Sequence, residues 1–172
     1  MLEQAQQRLR AYHADVRWVA IPSIHLTLKF LGEADPAILP TLAASLAVAT
    51  QAGHAFTLRL RGLGCFPNSK NPRVIWCGVE GETAKLASLQ AGVDSICESM
   101  GFQRESRPFH PHLTLGRVNG KRNLQPLLDY IRIGTKLESA FVAGCFHIYR
   151  SDLTPHGAIY SVLEIVALEE RE

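Results

Sequence analysis

Apolar residues recur along this chain at two spacings, and the switches between them mark out helices and strands. Met1 to Tyr12 holds Leu2 and Leu9 with no proline or glycine, which predicts an opening helix. From Val16 the pattern becomes alternating, most clearly over Ile24 to Leu31, where Ile24, Leu26, Leu28 and Phe30 share one face and His25, Thr27 and Lys29 the other. Asp35 and Pro36 read as the cap and first position of a helix carrying Ile38, Leu39, Leu42 and Leu46 to about Gln51, with Gly53 beyond. Phe56 to Leu60 and Arg73 to Val79 read as strands around a turn-rich loop, Gly62 to Pro72. Glu82 to Met100 is the clearest helix, with Leu86, Leu89, Val93, Ile96 and Met100 in one stripe and Gly101 as its stop. Strand character returns at Phe109 to Val118, and a short helix follows at Leu124 to Ile131. Two strands, Ala140 to Arg150 and Ala158 to Leu168, are joined around Pro155 and Gly157. Short turns between some strands and helices between others predict an α+β fold with largely antiparallel sheets.

At 172 residues and 47% hydrophobic, the chain has the size of one globular domain or two small lobes. A formal net charge of +2 excludes a polybasic nucleic-acid coat, so any anion must be held locally. No apolar run approaches the roughly 20 residues of a bilayer span, and Met1 to Arg10 lacks a signal-peptide core, so a soluble cytoplasmic protein without a membrane partner is expected. Cys65, Cys77, Cys97 and Cys145 form no C-x-x-C pair and read as reduced, mostly buried thiols.

One tetrapeptide occurs twice, as His25-Leu-Thr-Leu28 and His112-Leu-Thr-Leu115, 87 positions apart, dividing the chain nearly in half. In a strand, positions i and i+2 share a face about 7 Å apart, so each copy sets an imidazole beside a hydroxyl and sends its leucines to the core. Either copy alone reads as a structural histidine next to a good β-former. Their recurrence in strand-like segments instead points to two related lobes and a paired site. Two imidazoles and two hydroxyls suit phosphodiester cleavage without a metal. One neutral imidazole activates water or a hydroxyl, the other donates a proton to the departing oxygen, and the threonines steady the nonbridging oxygens.

Zinc is the competing reading, since His110 and His112 stand two apart and His147 or His156 offers a third ligand. The first copy, however, has one histidine and no carboxylate before Glu33, which disfavours it. Between residues 104 and 136, seven arginines and lysines face two acids, a local phosphate-facing patch or a solvated surface. Arg117 is its best anion contact, although strict alternation places it with Leu113 and Leu115, so a bulge must turn it toward His112. Lys29 shares the His25 face, at a cleft rim or in solvent.

His25-Leu-Thr-Leu-Lys-Phe-Leu-Gly-Glu33 and Arg107-Pro-Phe-His-Pro-His-Leu-Thr-Leu-Gly-Arg117 resemble the paired H-x-T-x motifs of the two-histidine phosphoesterases. They are most similar to the RNA 2′,3′-cyclic phosphodiesterases, also called 2′-5′ RNA ligases. Val74-Ile-Trp-Cys-Gly-Val79 and Ser151 to Tyr160 resemble further stretches of that family. The resemblance implies one bilobal α+β domain over residues 1–172, two related lobes each with a largely antiparallel sheet and flanking helices, and an active site in the groove between them. It implies cofactor-free, metal-independent opening of a 2′,3′-cyclic phosphate on an RNA end or a cyclic nucleotide to the 2′-phosphomonoester. On this chain His25 corresponds to the proton donor and His112 to the proton acceptor. Thr27 and Thr114 correspond to the phosphate-holding hydroxyls, Arg117 to a basic substrate contact, and Phe30 or Phe109 to a border of the base. Two other readings stay open: a nucleotide- or RNA-binding module with little hydrolytic role, and the reverse chemistry, joining tRNA halves through a 2′-5′ linkage. The family's usual N-terminal strand before the first helix is absent here, which predicts an uncovered sheet edge, reduced solubility or pairing with another chain.

Overall fold

The computed structural model describes residues 1–50, 54–134, 137–154 and 157–169. Among the described residues, four α-helices, α1 (Leu2–Arg10), α2 (Leu39–Thr50), α3 (Thr83–Ser99) and α4 (Leu124–Ile133), combine with seven strands. The strands are β1 (Val16–Trp18), β2 (Phe56–Phe66), β3 (Val74–Gly81), β4 (His112–Val118), β5 (Glu138–Ala143), β6 (Cys145–Thr154) and β7 (Gly157–Ala167). Five of them form a sheet in the order β1-β4-β3-β2-β5, and β6 and β7 form a separate hairpin. The β1–β4, β3–β4 and β6–β7 pairs are antiparallel. The fold is therefore α+β, as the alternating patterns predict.

The chain divides into two compact units, each built from three stretches of sequence. The first comprises Met1–Leu26, Arg59–Glu80 and Pro111–Ala140. Its core face carries Leu9, Leu60, Ile75, Cys77, Leu113, Leu115 and Leu127, all buried. Helices α1 and α4 lie on this face, with Tyr12 and Tyr130 in ring contact and the Arg10 guanidinium over Trp18. The second unit comprises Thr27–Leu58, Gly81–His110 and Phe141–Glu172. Its centre is Leu42, Leu46, Val93, Cys97 and Val166, against which Leu28, Leu31, Phe146 and Ile148 pack. The Asp35 carboxylate accepts from the Ala37 N–H and caps the 3-10 turn Pro36–Ile38, which leads into α2, so the helix expected from Pro36 begins as a 3-10 turn. At the end of α3, Gly101 takes φ 90°, its N–H donates to the Glu98 carbonyl and that of Phe102 to Cys97, the six-to-one closure that a left-handed glycine permits.

Four expected boundaries are corrected. Ile24 to Leu31 is not a continuous strand. Ile21–Ser23 forms a 3-10 turn, and the segment returns to β4 through the single Leu26–Leu113 bridge. Pro22 interrupts the ladder, having no N–H to donate. The strand expected over Phe56 to Leu60 instead runs to Phe66, which shortens the Gly62 to Pro72 loop. Its glycines serve the sheet, because a Cβ on Gly64 would overlap the Trp76 indole. Strand β4 begins at His112 rather than Phe109, after Pro108 and Pro111. The strand expected from Ala140 to Arg150 breaks before Cys145, giving β5 to the large sheet and β6 to the hairpin. Gln51, Gly53, Pro155 and His156, named in the sequence patterns, lie outside the described residues.

Candidate active site

The two tetrapeptides lie side by side. Leu26 bridges Leu113 antiparallel, so the residues flanking each leucine project from the sheet face opposite the core. His25 is thereby the cross-strand neighbour of Thr114, and His112 is its diagonal neighbour on the same face, a relation that sets Cβ atoms about 7–8 Å apart or somewhat less. Both histidines fall within the first unit. The His25 Nδ1 stands 2.9 Å from the Ser23 carbonyl oxygen. A carbonyl only accepts, so Nδ1 carries the hydrogen and the ring is held by its own preceding turn.

Strand β3 extends this face. Its buried side is Ile75, Cys77 and Val79, which leaves Val74, Trp76 and Gly78 on the other. These three pair with Arg117, Thr114 and His112 respectively. The register shifts between Ile75 and Trp76, because β3 steps by one residue while β4 passes from Gly116 to Thr114. Leu115 is the extra residue of this bulge, and Leu115 and Gly116 are both buried, after which Arg117 is exposed. The bulge thus does what alternation could not, bringing Arg117 to the side of His112 and Thr114. A buried amide braces it, the Gln6 side-chain nitrogen donating to the Leu115 carbonyl at 3.0 Å and to that of Val19 at 2.7 Å.

The His112 ring meets Phe66 edge-on with centroids 4.9 Å apart, and Trp76 at 6.4 Å. Phe66 and Trp76 in turn pack at 5.1 Å. Gly64 and Gly78 leave room for this wall, since a Cβ on Gly78 would come within 2.5 Å of the Arg61 carbonyl. The sequence reading assigned no part to Phe66, Trp76 or Gln6. The signal for Trp76 was its place between Val74 and Gly78, out of phase with the core residues Ile75, Cys77 and Val79. Phe66 had none, since left-handed Gly62, φ 69°, precedes it and a conformational change there alters which positions face in.

The remaining candidates belong to the second unit. Thr27 is exposed, Phe30 is 78% exposed and Phe109 is half-buried. Lys29 is corrected. Rather than lining a cleft or lying in solvent, its ammonium is buried, donating to the Asp94 carboxylate and the Gln103 carbonyl. That hydrogen bond, ahead of the opposing effect of burial, holds the Asp94 carboxyl below its ordinary value. Among the described residues no three His, Cys, Asp or Glu side chains gather as a metal-ligand set. His147 in the second unit is engaged with the Tyr149 hydroxyl at 3.0 Å, and His156 lies outside the described residues. Cys77 and Cys97 are buried, Cys65 half-buried and Cys145 exposed. A cavity of about 770 Å³ in the first unit is lined by Leu63, Cys65, Leu128 and Ile131, on the α4 side of the sheet and so behind the histidine face.

Residues 1–153 match the 2′-5′ RNA ligase superfamily. The chain belongs to that superfamily. It is 37% identical over 142 residues to an RNA 2′,3′-cyclic phosphodiesterase of Aeropyrum pernix, spanning 82% of this chain and 80% of that one. A Methanothermobacter thermautotrophicus protein of the same name is 33% identical across 97% of this chain and 90% of its own length. Among solved structures, a Thermus thermophilus protein superposes with TM-score 0.82 at 30% identity, covering 99% of this chain and 91% of that one. Escherichia coli LigT complexed with 3′-AMP gives TM-score 0.74 at 27% identity, with 97% and 91% covered. No described helix of this superfamily member is long and apolar enough to cross a membrane.

Proposed function

We propose that the protein is an RNA 2′,3′-cyclic phosphodiesterase that hydrolyses cyclic RNA ends to 2′-phosphomonoesters by paired-histidine acid–base catalysis, without a metal. The observation that carries the reading is the Leu26–Leu113 bridge, which makes His25 and His112 diagonal neighbours on one face. Relatives named for this activity over most of their length support the substrate class, and the 3′-AMP of the E. coli structure supports a nucleotide ligand.

In the proposed reaction His112 removes a proton from water as its oxygen attacks phosphorus. The bond from phosphorus to the 3′ oxygen breaks, and that oxygen takes the Nε2 proton of His25, leaving the phosphate on the 2′ oxygen. The Nδ1 hydrogen of His25 stays directed at the Ser23 carbonyl, so Nε2 is its working nitrogen. Phe66 and Trp76 limit the tilt of the His112 ring and so favour one direction of approach. Thr114 and Thr27 donate to the nonbridging oxygens, where charge accumulates in the transition state. Arg117 contributes a fixed positive charge, and Phe30 or Phe109 borders the terminal base.

Cyclic-ended RNA incubated in EDTA should give the 2′-phosphate, and His25→Ala and His112→Ala should each lower turnover about 100-fold or more. One neutral and one charged imidazole make the rate bell-shaped in pH when chemistry limits it. Loss of activity on chelation, a 3′-phosphate product, or near-wild-type rates in either variant would overturn the mechanism. Tight binding of a nonhydrolysable analogue by a protein that forms no product would favour the binding-module reading instead.

A further inference from the structure

We propose that Cys145, with His147 as its base, is a site of reversible mixed-disulfide formation with disulfides of low molecular weight. The acid and base of the proposed hydrolysis stand in the first unit, whereas this pair belongs to the second.

Strand β6 alternates. Phe146 and Ile148 turn inward and pack against the second unit's core, which places Cys145, His147 and Tyr149 on the opposite face. That face is open. Cys145 and Tyr149 are exposed and His147 is half-buried, while Ile165 and Val162, their partners across from His147 and Tyr149 on β7, are 56% and 49% exposed. Core packing therefore requires neither a thiol nor an imidazole at these positions. The Cys145 Sγ lies 3.5 Å from the His147 Nε2, and the Nδ1 of the same ring lies 3.0 Å from the Tyr149 hydroxyl. Tyr160 of β7 supports Tyr149 in turn, with ring centroids 5.9 Å apart. A thiol, a base within its reach and a third group that orients the base are the parts of an activated nucleophile.

A neutral imidazole has one N–H and one acceptor nitrogen. When Nδ1 donates to Tyr149, Nε2 accepts the thiol proton; in the other tautomer the Nε2–H donates to sulfur and stabilises the thiolate. Both arrangements favour attack by sulfur. Cys145 attacks one sulfur of the incoming disulfide, the new S–S bond forms as the old one breaks, and the departing thiolate takes the proton that Cys145 gave to His147. The disulfide is the only oxidant required. The other three thiols are placed differently: Cys77 and Cys97 are buried and Cys65 is half-buried, and desolvation pushes all three up, Cys77 to about 11. Nor does the pair complete a metal-ligand set, since among the described residues no third His, Cys, Asp or Glu joins it.

The test is the rate at which the whole folded chain forms an adduct with bis(2-hydroxyethyl) disulfide, followed by intact mass and assigned by peptide mass spectrometry, for wild type, Cys145→Ser, His147→Gln and Tyr149→Phe. Wild type should take up its first adduct on Cys145, and added thiol should remove it; Cys145→Ser should form none over the same time. His147→Gln should slow Cys145 by about tenfold or more, as expected for losing a positioned base, and Tyr149→Phe by a smaller factor. The slower reaction of Cys65, in the first unit, should be unchanged in both variants and serves as the internal reference. A first adduct on another cysteine, or Cys145 reacting at the wild-type rate in His147→Gln, would overturn the site. A change at Cys65 that matches the change at Cys145 would make the role of His147 structural and overturn it as well.

Discussion

Replacing Lys29 by Met removes an ammonium from a place with little access to water. The Lys29 and Asp94 side chains are 6% and 9% exposed, and Lys29 also donates to the Gln103 carbonyl. Without it, the Asp94 carboxylate keeps only the Glu105 N–H at 3.3 Å and the exposed Arg104 guanidinium at 3.7 Å. Breaking a buried pair by removing one partner costs about 3–5 kcal/mol, and these two residual contacts bring the expectation for Lys29→Met to about 2–4 kcal/mol. Methionine keeps most of the aliphatic stem, so the loss is chiefly electrostatic. Urea denaturation is the assay. Lys29→Met/Asp94→Leu should recover most of the loss, since it deletes the stranded charge as well. The pH dependence gives a second reading. The native Asp94 carboxyl titrates below its ordinary value of 3.8, so its stabilisation is present above that value and lost as pH falls through the native one. The gap between wild type and Lys29→Met should therefore be widest near neutrality and close below about pH 4. A single-variant loss under about 1 kcal/mol, or a gap unchanged between pH 7 and 3, would refute the pairing argument.

Three further outcomes follow from the packing. Gly64→Ala places a methyl against the Trp76 ring, which must shift and so change its contact with His112, so turnover of a cyclic-ended substrate should fall while stability drops by about 1–3 kcal/mol; unchanged turnover would separate the aromatic wall from the chemistry. Gln6→Leu removes the side-chain donor from the Val19 carbonyl and leaves the Leu115 carbonyl with the Val19 N–H at 2.9 Å, at a cost of about 1–3 kcal/mol measurable by denaturation, and should loosen the bulge enough to raise KM. Native-state labelling with a maleimide should modify Cys145 first and spare Cys77, which is buried with its thiol pushed up to about 11, chiefly by desolvation; mass spectrometry of peptides reads the order.

Periodicity and capping determine much of this protein locally. The stripe from Leu86 to Met100, the Asp35 cap and Gly101 are properties of short windows, so the turn that leads into α2, and α3 with its end, are readable from residue order alone. The doubled His-x-Thr is equally legible, because a repeated motif needs no partner to be seen. Tertiary structure decided what pairing controls. The segment after Ser23 became one bridge rather than a strand, because an edge ladder requires donors that Pro22 and the turn around it withhold. Lys29 went to Asp94 and the Gln103 carbonyl, groups 65 and 74 positions away that no local pattern connects to it. Arg117 reached the histidine face only through the Leu115 bulge, and Trp76 came to border His112 only through the β3–β4 register. A strand's sequence determines which residues share a side. Which residues stand opposite them depends on hydrogen bonds to a neighbour distant in the chain, and a one-residue slip there exchanges the faces.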